Sequence, residues 1–205
     1  MATQTWITPA TLRGRRVRLE PLEAKHAPDL LAAADPDLFR FTAQQPPEWS
    51  AKGFELEIAS VNAIPDSVAL AVVLESTGKA IGRSTFMDIK AEHRGVEIGR
   101  TWIGRAYHGT AINPEMKYLM LRHAFETLAP AAIRVQLVTG GTNLHSQAAI
   151  SKLGAVREGT LRHSRIASTP SGPEVRDAVY FSILASEWPG VKQKLESRIH
   201  AASGQ

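Results

Sequence analysis

The sequence predicts an α+β fold in which helices flank one central mixed, mostly antiparallel β-sheet. Strand-like and helical patterns follow in the order strand, two helices, three strands, helix, strand, helix, two strands. A helical segment joins the strand expected at 96–103 to the one expected at 133–138, and such a β-α-β crossover places its strands parallel. The length of 205 residues suits one domain with a sizeable core.

Local patterns and the positions of proline and glycine define the individual elements. We expect a flexible leader over residues 1–11, a main domain over 12–188, and a C-terminal helix and tail over 189–205. The first strand alternates and stops at Pro21, which is typical of an edge strand. Strands are predicted at 15–22, 68–74, 80–89, 96–103, 133–138, 156–166 and 175–184, and helices at 23–34, 51–62, 114–128 and 146–153.

Aromatic residues are concentrated in an irregular, proline-containing connector at 37–50. Phe39, Phe41 and Trp49 occur there. Two interpretations remain open. The rings either form the lid or wall of a substrate pocket, or they only attach the connector to the core.

The stretch from 94 to 125 carries the clearest candidate binding site. Its strand leads into a small, polar loop at 104–111, which is followed by Asn113-Pro114-Glu115. These residues are typical of a helix start, with Asn113 as the cap and Pro114 at the first helical position. Free backbone N–H groups and the positive end of the helix dipole attract anions at such a terminus. The sequence therefore predicts an anion site at this loop.

Composition narrows the class of protein. No apolar run is long enough to span a membrane, we expect no secretory signal, and the absence of cysteine excludes disulfides and Cys-based metal sites. The seven histidines show no zinc-binding spacing, so we expect no metal. The net charge of +4 comes from dispersed basic residues, which argues against a nucleic-acid-binding module. We expect a cytoplasmic protein.

Several short motifs follow one another along the chain in a specific order and spacing. They are residues 16–22, Glu97-Ile98-Gly99 before Trp102, Gly109-Thr110-Ala111 with 113–117, 123–126, Asn143 with Ser146, and 153–159. Together, over roughly residues 12–188, they resemble the GNAT superfamily of acyl-CoA N-acyltransferases. The resemblance is closest to the RimJ/RimL-like branch, the ribosomal-protein N-terminal acetyltransferases.

The resemblance implies a GNAT fold whose parallel β-α-β core binds acetyl-CoA, with the pyrophosphate at the predicted anion site. The implied reaction is direct attack of a primary amine, from a protein N-terminus or a small molecule, on the acetyl thioester. The C-terminal helix and the exposed strand edges are compatible with a homodimer. Expected cofactor contacts are Trp102, Ile103, Arg105, Tyr107, His108, Gly109, Thr110, Ala111, Asn113, Asn143 and Ser146, and expected substrate contacts are Phe39, Phe41 and Trp49.

For proton transfer we favour Glu97 as the general base, acting through a water, and Ser146 as the general acid. Glu97 points away from its apolar neighbours on a strand that leads to the loop. The alternatives are that Glu97 is an ion-paired carboxylate, that Ser146 caps a helix, and that Asn143 is a simple turn residue.

Two features depart from the family pattern. The phosphate loop of the family usually begins with a basic or amide residue, but the matching position in this sequence is Ala106. Arg105, one position earlier, is the candidate substitute. The predicted helix at 146–153 lacks the tyrosine that acts as the acid in many members. A non-catalytic acyl-CoA-binding sensor on the same fold therefore remains the alternative function.

Overall fold

The computed structural model describes residues 6–40, 42, 45–169 and 172–201. Within these residues eight strands form one sheet in the order β1-β2-β3-β4-β5-β6-β8-β7. They are β1 (Leu12–Arg13), β2 (Val17–Pro21), β3 (Val68–Leu74), β4 (Ala80–Lys90), β5 (Gly95–Ile103), β6 (Arg134–Gly140), β7 (Val156–Thr169) and β8 (Gly172–Leu184). Strands β5 and β6 pair in parallel, and the other neighbours pair antiparallel. The predicted fold class is confirmed.

Helices cover both faces of the sheet because the strands alternate their apolar side chains between two cores. The helices are α1 (Ala27–Ala33), α2 (Ala51–Asn62), α3 (Ile112–Arg122), α4 (Leu144–Leu153) and α5 (Trp188–Ala201). Side chains of α3, α4 and α5 belong to the larger core, and those of α1 and α2 to the smaller core on strands β3 to β5. None of the helices in the described ranges is long and apolar enough to span a bilayer.

The N-terminal segment is packed more tightly than expected. Ile7 is fully buried in the larger core, and Trp6 Nε1 donates to the carbonyl of Pro130 at 2.8 Å. Strand β1 pairs with β2, so the strand that ends at Pro21 is not at the edge of the sheet. The expectation of a loose leader is therefore wrong for residues 6–11, because two apolar side chains anchor them.

Helix boundaries near the predicted anion site also differ from the prediction. Helix α3 begins at Ile112 with Ala111 as its N-cap, so Asn113 lies in the first turn and does not cap the helix. Glu115 lies in the first turn, and its carboxylate accepts from the backbone N–H groups of Arg15 and Arg16. Helix α2 and strand β3 have the predicted bounds.

Candidate active site

Strands β5 and β6 form a fork at the centre of the sheet. Their parallel pairing ends at Glu97 and Gln136, although β5 continues to Ile103 and β6 to Gly140. Beyond that point β5 stays paired with β4 and β6 stays paired with β8. The two facing edges therefore carry backbone N–H and C=O groups without a ladder partner across the fork.

A bulge in β5 accompanies this separation. Arg100 and Thr101 lie opposite the single β4 residue Ser84. Arg100 has a φ of 48°, in the left-handed region that residues other than glycine rarely occupy. Two residues opposite one make a β-bulge, which bends its strand and increases the local twist. The bend lies directly beyond the point where β5 leaves β6.

The loop at 104–111 presents open backbone at the start of α3. Thr110 Oγ1 donates to the carbonyl of Tyr107 at 2.8 Å and accepts from the N–H of Ile112 at 3.2 Å. Gly109 has a φ of 76°, and a Cβ at this residue would meet nothing within 4 Å. The N-cap Ala111 offers no side-chain acceptor to the helix. This geometry suits a phosphate group.

Glu97 lies where the fork opens. Its Oε2 accepts a hydrogen bond from Gln136 Nε2 at 2.9 Å. Burial raises the pKa of Glu97, while the hydrogen bond and the charges of Arg165 and Arg100 oppose the rise. A carboxylate with a raised pKa is a stronger proton acceptor. No three His, Cys, Asp or Glu side chains in the described part of the chain are arranged to hold a metal ion.

Asn143 and Ser146 lie at the start of α4, on the β6 side of the fork. Asn143 is the N-cap, and its Oδ1 accepts from the N–H of Ser146 at 3.1 Å. The alternative that Ser146 caps the helix is therefore wrong, because Asn143 performs that role. The hydroxyl of Ser146 is not used as the cap.

The side chain of Arg105 is directed away from the loop. Its guanidinium pairs with Asp35 at 2.5 Å and with Asp37 at 3.0 Å. The expectation that it replaces the usual basic residue of the phosphate loop is not supported by these contacts. His108 does reach across the mouth of the fork, where its ring stacks on that of His145 with centroids 5.9 Å apart.

Two of the expected substrate aromatics, Phe39 and Trp49, form one cluster with Trp102 on the α1–α2 face. The ring of Phe39 lies 5.3 Å from that of Trp102, and these side chains are only 2% and 4% exposed. Trp49 packs edge-on against Phe39 and Phe54 but is 46% exposed. These contacts favour attachment of the connector to the core, and of its two described rings only that of Trp49 keeps an open face. Phe41 lies outside the described residues.

Sequence reasoning missed several polar residues around the fork. Gln136 pairs with Glu97, Lys117 is buried under β5, and Arg83 forms a buried ion pair with Glu57. The available signal was a polar side chain inside an otherwise apolar strand or helix face. Such a pattern shows that a residue is unusual, but it does not identify its partner.

A family model described as an acetyltransferase (GNAT) domain matches residues 16–156. Among solved structures, a protein of T. thermophilus assigned as an acetyltransferase is 39% identical, with 94% of this chain and 98% of that chain covered and a TM-score of 0.84. A GCN5-related N-acetyltransferase from Brucella melitensis is 28% identical, with 95% and 87% covered and a TM-score of 0.86.

Mycobacterium smegmatis RimJ, solved in complex with CoA-disulfide, is 20% identical. The match covers 94% of this chain and 95% of that chain with a TM-score of 0.74, and at this identity it shows the fold alone. A search of curated protein sequences found no match.

Proposed function

The chain belongs to the GNAT family of acetyltransferases, and on that premise we propose that it transfers an acetyl group from acetyl-CoA to a primary amine. The observation that carries the proposal is the fork. Strands β5 and β6 separate directly after Glu97, and β5 then leads to the open loop at the start of α3. A candidate base and a candidate phosphate site thus lie on one strand and the loop that follows it.

The residues present fit acetyl-CoA, which supplies the acetyl group as a reactive thioester. The unpaired backbone edges of the fork offer hydrogen bonds to an extended pantetheine arm and to a developing oxyanion. Gly109 leaves room beside the backbone N–H groups at the start of α3, where the pyrophosphate would bind.

Two side chains move the protons in the proposed reaction. As the nitrogen–carbon bond forms and the carbon–sulfur bond breaks, Glu97 takes the proton that the amine loses, through a water. The leaving thiolate receives a proton through the hydroxyl of Ser146, which regains one from solvent. The raised pKa of Glu97 supports its role as the base.

The basicity of the amine ranks the candidate acetyl acceptors. An α-amine has a reference pKa of ~7.7–8.0 and a lysine amine ~10.4, so an α-amine offers far more free base at neutral pH. We therefore favour a protein N-terminus or an amino-acid-like amine, in keeping with a RimJ/RimL-like branch.

The long edge strand β7, with Leu161 and Ile166 exposed, supports a homodimer, which light scattering would test.

Thermal unfolding with and without acetyl-CoA tests the proposal first. A hundredfold excess over the dissociation constant adds ~2.7 kcal/mol, or roughly 5–10 °C for a chain of this size. CoA release would then be measured across a panel of peptides and small amines. A thermal shift with turnover supports the enzyme, and a shift without turnover on any amine supports the sensor. No shift at millimolar acetyl-CoA would overturn both.

A further inference from the structure

The side chain of Lys117 is buried between α3 and the sheet, directly beneath the bulge of β5. Lys117 is 6% exposed. Its Nζ donates to Thr101 Oγ1 at 2.7 Å and to Ser84 Oγ at 3.3 Å. The two hydroxyl oxygens are themselves 2.7 Å apart. The three groups form a closed polar triangle beside the larger apolar core.

The triangle contacts both strands at the bulge. Thr101 is one of the two bulged residues of β5, and Ser84 is the single residue opposite them on β4. On the other face of the sheet, Arg83 Nη1 donates to the carbonyl of Arg100 at 2.7 Å. The bulge is therefore held from both faces by buried basic side chains, one of which comes from the helix that follows the proposed phosphate loop.

A lysine at this position is costly for stability alone. Burial lowers the pKa of Lys117 to about 7, and the charge of Glu97 offsets that effect only in part. An apolar side chain of similar length would fill the same space without desolvating an amine. Ser84 and Thr101 would still have each other as hydrogen-bond partners. The polar triangle therefore requires an explanation beyond packing.

We propose that Lys117 is a positioning residue of the acetyl-transfer site, which holds the β5 bulge through Thr101 and thereby keeps the fork open beside Glu97. The inference rests on the proposed acetyl transfer. It assigns no contact between Lys117 and a substrate. Its effect passes through the backbone of residues 99–102, which line the fork directly after the base.

The test compares Lys117→Met, Thr101→Val, Thr101→Ser and the Lys117→Met/Thr101→Val pair. Tyr118→Phe is the matched control, because it removes a hydrogen bond from the neighbouring residue of α3 to Glu196 on α5. We expect Lys117→Met to lower kcat on the order of tenfold to a hundredfold, since small misplacements in an active site have effects of that size. KM for acetyl-CoA should change much less.

Thr101→Ser should restore most of the activity lost in Thr101→Val, and the double variant should lose no more than the worse single variant. Tyr118→Phe should keep the wild-type kcat. A Lys117→Met protein that folds and retains kcat within about twofold of wild type would overturn the inference.

Hydrogen exchange of the peptide covering 97–104 separates this inference from the proposed function. Lys117→Met and Thr101→Val should exchange faster there than wild type, while Tyr118→Phe should not. This readout needs no turnover. If wild type shows no acetyl transfer but the exchange pattern holds, the proposed function fails and Lys117 still holds the bulge. Unchanged exchange in both variants would show that Lys117 does not hold the bulge.

Discussion

Gln136 donates a hydrogen bond to Glu97 across the last residue pair that joins β5 to β6. The sheet therefore opens at the same residue pair that orients the candidate base. The amide donates to the carboxylate, so it favours the charged form of Glu97 while burial opposes it. Gln136 thus adjusts the proton affinity of the proposed base.

Replacing Gln136 should shift the pH dependence of the reaction. In the proposed reaction the carboxylate of Glu97 is the active form, so activity should fall as pH drops through its pKa, which burial raises. Gln136→Leu removes a contact that lowers this pKa, so the acid limb of kcat should move to higher pH. The profile is measured at saturating acetyl-CoA and amine. Gln193→Leu, on the exposed side of α5, should leave the limb in place, and a Gln136→Leu limb that coincides with wild type would argue against Glu97 as the base.

Gly109 allows a matched test of the phosphate loop. Gly109 and Gly78 have φ values of 76° and 69°, and a Cβ at either would meet nothing within 4 Å. An alanine at either position should cost about 1–2 kcal/mol of backbone strain. Only Gly109→Ala should weaken acetyl-CoA binding, by roughly 5- to 30-fold if the loop changes conformation to relieve that strain. Equal affinities of the two variants would show that alanine does not disturb the binding conformation of this loop, and would contradict the prediction.

Much of the fold could be predicted because it depends on local pattern. Helix α2 and strand β3 have the predicted bounds, since a capping serine precedes one and the other is a continuous apolar run. The parallel pairing of β5 with β6 followed from the helix between them. The position of Glu97 on the strand that leads to the loop at 104–111 is likewise readable from the sequence.

Contacts between distant residues could not be predicted from the same patterns. Arg105 pairs with Asp35, some 70 positions away, and the sequence around the loop does not reveal that competitor. The sequence leaves open whether Ser146 caps α4, because Asn and Ser are both common caps, and only the structure assigns that role to Asn143. The hydrogen-bond partners of a polar residue on a buried helix face, such as Lys117, can be identified only when the structure of the sheet beneath it is known.

Asn143 offers a way to separate a structural role from a binding role. Asn143→Asp keeps the acceptor oxygen for the N–H of Ser146, so α4 should remain capped and the melting temperature close to wild type. Asn143→Ala should lose about 1 kcal/mol of stability. If the amide nitrogen binds acetyl-CoA, both variants should raise KM for acetyl-CoA. A wild-type KM in Asn143→Asp would restrict Asn143 to its role as a cap.

The buried amine of Lys117 should leave a signature in the pH dependence of stability. Its pKa is about 7 in the folded protein, against an ordinary value of 10.5. Between these values the unfolded chain binds more protons, so this contribution to stability rises with pH and is lost as pH falls towards 7. Relative to Lys117→Met, wild type should gain at most about 1.4 kcal/mol per pH unit between pH 7 and 10. Urea unfolding at several pH values measures the difference, and parallel stability curves would contradict the buried titration.

The Arg83–Glu57 pair predicts strong coupling in stability. Both side chains are fully buried, and either single change leaves the other partner in the core without its counter-charge. Arg83→Met and Glu57→Leu should each cost about 3–5 kcal/mol, while the double variant should recover much of that loss because no buried charge remains. Lys52→Met, in an exposed pair with Glu55, should cost less than about 1 kcal/mol.

Because Arg83 also donates to the carbonyl of Arg100, the refolded double variant should still turn over more slowly than wild type. Urea unfolding and kcat on the same samples separate the two effects, and full activity in the double variant would show that the bulge does not need Arg83.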